Sequence, residues 1–109
     1  MVRKKIKIPI FFGKLVIIRV RKMTDLNAKF GLNAKDSYAS LVFKKETKKG
    51  GIRYFIALRK NTKNSIIVHE AVHIVNYIFE HNGIEPDLHN DEAQAYLTGW
   101  IFEQIEKYK

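Results

Sequence analysis

The sequence contains no cysteine and no long apolar run. Without cysteine, the chain has no disulfide, no thiolate nucleophile and no Cys-type zinc site, and this composition fits a reducing compartment. No apolar run approaches the roughly 20 residues that span a bilayer. The basic and apolar start of the chain resembles a signal peptide, but Lys7, Pro9 and Lys14 interrupt it and no small-residue cleavage site follows. We therefore expect a cytoplasmic protein with no membrane partner.

Acidic residues are scarce in the first part of the chain. Residues 1–63 hold 18 Lys and Arg against three acids, a net +15, whereas residues 64–109 have a net −6. Such asymmetry is typical of a nucleic-acid-binding surface, but also of a sheet whose solvent face is lined with lysine. No arginine-rich block or aromatic stacking platform stands out. Nucleic acid is therefore a partner that the charge allows but does not favour.

The apolar content of 46% and the length of 109 residues indicate one folded domain over residues 1–109. Strand patterns fill most of residues 1–63. Residues 5–8 alternate basic and apolar side chains, and an apolar run follows at 15–20. The segments 38–45 and 52–59 flank a Gly-Gly turn and predict a hairpin.

Helix signals occur once between the predicted strands and dominate residues 64–109. Thr24 and Gly31 bracket a short helix over 25–30. Asn64 or Ser65 is the predicted cap of a helix over 66–81, and Asn90 or Asp91 is that of a last helix ending near Tyr108. The predicted fold is α+β: a small antiparallel sheet of three or four strands, packed against a buried central helix and a C-terminal helix.

The central helix carries the pattern His69-Glu70-x-x-His73 inside an apolar run. Residues i and i+4 lie on one helix face, so both imidazoles can reach one metal ion. Zinc accepts such nitrogens, and Glu70 can act as general base on a metal-bound water whose pKa the metal lowers. The alternative is that both histidines are hydrogen-bonded in the core and Glu70 is merely exposed.

A catalytic zinc needs a third protein ligand and an open position. The downstream candidates are His81, Glu85, Asp87, His89, Asp91 and Glu92. We favour Glu92 because Ala95 and Gly99 share its helix face. A mid-helix glycine costs about 1 kcal/mol relative to alanine, and close packing on the central helix would account for it. A glutamate in a first helical turn is also favoured by the helix dipole alone. His81 and His89 are more typical of surface histidines.

With these residues in place, the pattern resembles the gluzincin kind of zincin metallopeptidase. The segment His69–Trp100 is also similar to small uncharacterised zincin-like proteins of phages and prophages. The resemblance implies a minimal zincin-like fold, with His69, His73 and Glu92 as zinc ligands and Glu70 as general base. It also implies that the strand at 52–58 is the edge that pairs with an extended substrate.

Two features depart from the gluzincin pattern. Tyr96 stands where many gluzincins have an aspartate that supports a ligand histidine. Its hydroxyl can orient His69 or donate to a developing oxyanion, or it can be a core tyrosine. The second lobe that walls the cleft of larger gluzincins is not present in 109 residues.

The sequence thus predicts a zinc-dependent metallopeptidase that hydrolyses a peptide or protein substrate, acidic substrates included. The alternative function is a basic nucleic-acid- or protein-binding module with a vestigial or structural metal site. The likeness to phage proteins implies that either function would be carried out inside a host cell.

Overall fold

Strands come first and the two long helices come last in the computed structural model, which describes residues 1–109. The elements are β1 (Val2–Lys7), β2 (Lys14–Arg19), α1 (Asp25–Phe30), β3 (Ser40–Glu46), β4 (Ile52–Leu58), α2 (Asn64–His81) and α3 (Glu92–Tyr108). The α+β class and the four strands are confirmed. None of the helices combines the length and the apolar character that crossing a bilayer requires.

The sheet is mixed, with the strand order β1-β2-β4-β3. The outer pairs β1–β2 and β3–β4 are antiparallel, but the central pair β2–β4 is parallel. The prediction of a purely antiparallel sheet is therefore wrong at its centre. The two central strands are continuous buried runs, as is typical of strands covered on both faces, and such runs do not encode the direction of a neighbour.

Successive residues of the central strands face two separate hydrophobic clusters. Ile17 and Ile56 lie in the larger cluster, between the sheet and the helices α2 and α3. Ile18 and Ala57 lie in the smaller cluster, which residues from α1 and its flanking segments cover. The sheet is thus the middle layer of the molecule, as the alternating directions of strand side chains require.

The short helix α1 matches its prediction, and Gly31 follows it with a φ of 66°. The start of α2 differs, because Lys63 is the residue before its first turn and Asn64 and Ser65 lie inside the helix. Asp91 precedes α3 as predicted, yet it makes no side-chain capping bond. These helices are therefore held mainly by the burial of their apolar residues in the core.

Helix α2 is buried on one face only. Ile67, Ala71 and Ile74 are fully buried, whereas Val68 and Val72 are 43% and 40% exposed. The prediction of a buried central helix therefore holds for one face only, because α3 and the sheet cover only part of its circumference. The face of α2 that neither α3 nor the sheet covers is open to solvent and can carry polar residues.

Helix α3 turns the opposite face to the core from the one expected to contact α2. Leu97, Ile101 and Ile105 are buried, while Ala95 and Gly99 are exposed. No atom lies within 4 Å of the position that a Cβ on Gly99 would take. Close packing of this small-residue face on α2 is therefore a wrong prediction. The apolar residues decide the orientation, since burying them outweighs the tolerance of small residues for close contact.

Candidate metal centre

The i, i+4 spacing on α2 brings the two histidines of the motif together. The Nε2 atoms of His69 and His73 lie 3.1 Å apart, and their ring centroids are 4.8 Å apart. Two nitrogens that share a tetrahedral zinc at about 2.0–2.1 Å would be about 3.3 Å apart. The histidine nitrogens therefore already have nearly the separation that one metal ion requires.

Glu70 completes a compact group of possible metal ligands. Its Oε1 lies 3.7 Å from Nε2 of His69, and ligand atoms of His69, Glu70 and His73 all lie within 4.8 Å of one another. The Glu70 side chain is 12% exposed, whereas that of His69 is 68% exposed. The group thus combines an accessible imidazole with a shielded carboxylate.

The exposure of the histidines argues against the alternative that they are core residues. His69 and His73 are both exposed, on the uncovered side of α2. Their 3.1 Å contact fits a hydrogen bond in which one neutral ring donates and the other accepts, or two rings that bind one cation. Because both rings are exposed, neither histidine is a core residue held by hydrogen bonds to buried neighbours.

The structure does not bring Glu92 or Tyr96 to this group. Glu92 is the exposed first residue of α3, and only His69, Glu70 and His73 form the cluster. Tyr96 is 56% exposed, one turn further along, so it is not a core tyrosine. Both residues face solvent because α3 buries Leu97 and its neighbours instead. The role of Glu92 as third ligand stays a prediction.

A cavity of about 420 Å³ lies beside the cluster. Its walls come from the start of α2 and from the segment that enters β3, and they comprise Tyr38, Ala39, Ser40, Ser65, Ile66, His69 and Glu70. Because β3 is an edge strand, the cavity lies at the start of a free edge of the sheet.

The predicted role of residues 52–58 as the substrate-pairing edge is wrong. This strand, β4, lies between β2 and β3 and is buried along most of its length. The edge next to β4 is β3, whose C-terminal half carries Lys44 and Lys45. These lysines were the sequence signal that could have identified β3 as an edge strand, since charged residues are typical of edge strands.

Sequence reasoning also missed the residues that hold the wall of the cavity. Arg59 donates hydrogen bonds of 2.7 Å to the backbone oxygens of Tyr38 and Asp36. The Asp36 carboxylate accepts bonds of 3.1 and 3.0 Å from the amide and hydroxyl of Thr24. These bonds, the amide first, lower the pKa of Asp36 below its ordinary value. No sequence signal links these distant residues.

Comparisons with protein-family models, with curated proteins and with solved structures find no significant match for this chain.

Proposed function

We propose that the protein is a zinc-dependent peptidase in which His69 and His73 bind the metal and Glu70 is the general base. The observation that carries the proposal is the 3.1 Å pairing of the two Nε2 atoms, with a shielded carboxylate 3.7 Å from one of them. A group with two nitrogen ligands and a neighbouring base is the arrangement that metal-assisted hydrolysis uses.

The donor set fits zinc, since neutral imidazole is a preferred zinc ligand and the chain offers no thiolate. When bound, zinc supplies a Lewis acid and lowers the pKa of a water molecule. Glu70 takes up a proton at its carboxylate and passes it to the leaving amine of the substrate. The shielding of Glu70 suits this role because it keeps bulk water from competing for the carboxylate.

Glu92 is the proposed third ligand, with Tyr96 as a candidate donor to the substrate oxyanion. Neither lies in the cluster, so ligation by Glu92 requires a shift of the first turn of α3. That turn is exposed, and residues 82–91 connect it to α2 without regular structure. The open side of the cluster is consistent with a catalytic rather than a structural site, because structural zinc is closed by four protein ligands.

The proposed substrate is an extended peptide that pairs with the free edge of β3. Main-chain hydrogen bonds to an edge strand bind such peptides without requiring a particular sequence. The cavity lies at the start of this strand, and Ser40 lines it together with His69 and Glu70.

The first experiment is the metal content of protein purified without a metal-affinity tag, measured by elemental mass spectrometry. We expect about one zinc per chain, lost in His73→Ala and reduced in Glu92→Ala, because a catalytic site uses three protein ligands. His89→Ala is the matched control, since it removes a histidine that the proposal leaves out of the ligand set, and it should leave the zinc content unchanged. A wild-type protein that takes up no zinc, even when zinc is offered, would refute the proposal.

The second experiment separates catalysis from metal binding. Glu70→Gln keeps the shape of the side chain but removes the base. We expect zinc to remain bound and peptide hydrolysis to fall by about 10²–10⁴-fold, the usual contribution of general acid–base catalysis. Hydrolysis that persists at the wild-type rate would exclude Glu70 as the base.

The second candidate function is binding of nucleic acid or of an acidic protein, with a structural or vestigial metal site. The observation that favours it is a row of cations in direct register across all four strands, formed by Lys7, Lys14, Arg53 and Lys45. Retention on DNA that weakens with salt, and that Glu70→Gln leaves unchanged, would support this function.

A further inference from the structure

The loop between β1 and β2 presents two large apolar side chains to solvent. Ile10 is 87% exposed and Phe12 is 84% exposed. The residues beside them point inward, because Ile8 is buried and Phe11 packs on Phe79 with ring centroids 6.4 Å apart. We call Ile10 and Phe12 the apolar tip. The tip is not an unpacked segment, since its neighbours anchor it to the core.

The backbone of this loop is constrained. The amide of Phe11 donates a 2.7 Å bond to the carbonyl of Pro9, across Ile10, whose φ is 69°. A bond of this type around a positive φ is a strained γ-turn, and it is rare for a β-branched residue. The amide of Ile8 donates to the carbonyl of Gly13 and closes the loop. The chain thus keeps a costly conformation that holds both side chains of the tip in water.

Cations surround the base of the tip. Lys7 and Lys14 flank the loop and are paired with each other across β1 and β2. Strand pairing also places Arg53 opposite Lys14 and Lys45 opposite Arg53, so the four cations form one row. None of these four side chains forms an ion pair, and only Lys45 has a hydrogen-bond partner, the carbonyl of Phe30. Like charges directly opposite one another on neighbouring strands are destabilising. This row therefore carries a cost that an anionic partner would relieve.

Phe12 of the tip shares one hollow of about 460 Å³ with Lys7, Lys14 and Arg53 of the row. Its walls include Phe12, Lys14 and Arg53, together with Thr47 and Gly51 from the ends of the β3–β4 turn. That turn adds two more exposed lysines, at positions 48 and 49. One end of the sheet thus combines exposed apolar groups with a concentration of positive charge.

Although the sequence alone predicted no membrane partner, we propose that this end of the molecule docks on an anionic lipid bilayer, with Ile10 and Phe12 inserted between the headgroups and the cations in contact with lipid phosphates. An apolar insertion and a basic patch are the two signals whose combination gives stable attachment to a membrane surface. Nucleic acid would satisfy the cations, but it offers no apolar environment for Ile10. The apolar tip therefore distinguishes a lipid surface from other polyanions.

The docking surface is independent of the proposed peptidase. Phe79, which anchors the loop, lies ten residues beyond His69 on α2, a distance of about 15 Å along the helix. A docked molecule would keep the cavity beside His69 away from the bilayer. The inference goes beyond the proposed function and does not require it to be correct.

Co-sedimentation of the full chain with lipid vesicles tests the proposal. We expect binding to phosphatidylcholine vesicles that contain phosphatidylserine, and little binding to phosphatidylcholine alone. The variant Ile10→Gly/Phe12→Ser removes the tip, and glycine suits the positive φ at position 10. Its vesicle partition coefficient should fall at least about tenfold. Leu88→Ser is the matched control, because Leu88 is 93% exposed on a different loop.

The basic component is tested by Lys7→Gln/Lys14→Gln. We expect its partition coefficient on phosphatidylserine vesicles also to fall about tenfold, because each surface cation contributes to attraction by anionic lipid. The matched control is Lys22→Gln/Lys60→Gln, which removes two exposed lysines outside the row. The control should bind more tightly than the test variant.

Three outcomes would overturn the proposal. Wild-type protein that does not bind phosphatidylserine vesicles better than neutral ones excludes an anionic docking surface. Vesicle binding that survives loss of the tip shows adsorption by charge without insertion. Binding to a single-stranded oligonucleotide but not to vesicles, with loss only in Lys7→Gln/Lys14→Gln, assigns the cations to nucleic acid.

Discussion

The two ends of the sheet carry opposite kinds of chemistry. Near the end where β4 leads into α2, His69, Glu70 and His73 converge so that their ligand atoms lie within 4.8 Å. At the other end, Lys7 and Lys14 stand in a row of like charges beside the apolar tip. Unlike groups that converge suit a small ion, whereas like charges held at strand spacing suit an extended anionic surface. The difference comes from the element that carries each group, a helix turn at one end and strand register at the other.

The largest expected effect is at the convergent end. His73→Ala removes one of two paired nitrogens, and we expect zinc affinity to fall at least about a hundredfold, since even loss of a residue that only supports a ligand costs 10–100-fold. Competition with a chelating dye measures it. Lys14→Gln at the other end should leave zinc affinity unchanged. Equal zinc affinity in wild type and His73→Ala would show that the histidine pair does not bind zinc, so the two ends would not differ in metal binding.

At the end of the sheet that carries Lys7 and Lys14, which we call the basic end, Gly13→Ala should be the most destabilising change. Gly13 has a φ of 110°, and a Cβ there would lie 2.9 Å from the carbonyl oxygen of Ile52. We expect the free energy of unfolding to fall by about 2 kcal/mol or more, measured by urea denaturation, because both the conformation and the space exclude a side chain.

Gly99→Ala is the matched control for Gly13→Ala. No atom lies within 4 Å of the Cβ it would add on α3, so this change should stabilise the protein by about 1 kcal/mol through helix propensity. Similar effects of the two alanines would contradict the close approach described for Gly13.

A smaller effect is expected at Tyr54, beneath the basic end. Its hydroxyl is buried without a hydrogen-bond partner, and burial raises the pKa of Tyr54 to about 12. Tyr54→Phe removes the unsatisfied group, so the free energy of unfolding should rise by about 1 kcal/mol. Thermal and urea denaturation of the two proteins provide the comparison. A less stable variant would mean that the hydroxyl has a bonding partner.

The smallest effect is a pH dependence confined to the convergent end. The pKa of Asp36 is lowered by the hydrogen bonds from Thr24, so its contribution to stability is present above its unfolded pKa and is lost as pH falls through the folded value. As the pH falls through the lowered pKa of Asp36, we expect the protection factor of the Thr24 amide proton to decrease, measured by NMR as exchange relative to the intrinsic rate at each pH. Asp36→Ala, which has no side-chain acceptor, should show low protection of this amide at all pH values. Protection that persists at low pH in the wild type would contradict the assignment.

Local patterns in the sequence predicted much of the fold and part of the site. The strands, the helices and the pairing of His69 with His73 all depend on residues close together in the chain. Two predictions were wrong for another reason. They were that residues 52–58 form an edge of the sheet, and that the small-residue face of α3 packs on α2. The first required the order of strands in the sheet, and the second required the choice of which helix face is buried.

The sequence by itself determined that His69 and His73 share one side of a helix, because an i, i+4 spacing is a property of helix geometry alone. It also determined the excess of positive charge in residues 1–63. Only the tertiary structure decided that β3 is the free edge beside the cluster and that Glu92 is exposed to solvent. It also decided that four cations align in one row beside the apolar tip. Each of these follows from the burial of distant apolar residues, a collective result that no short segment encodes.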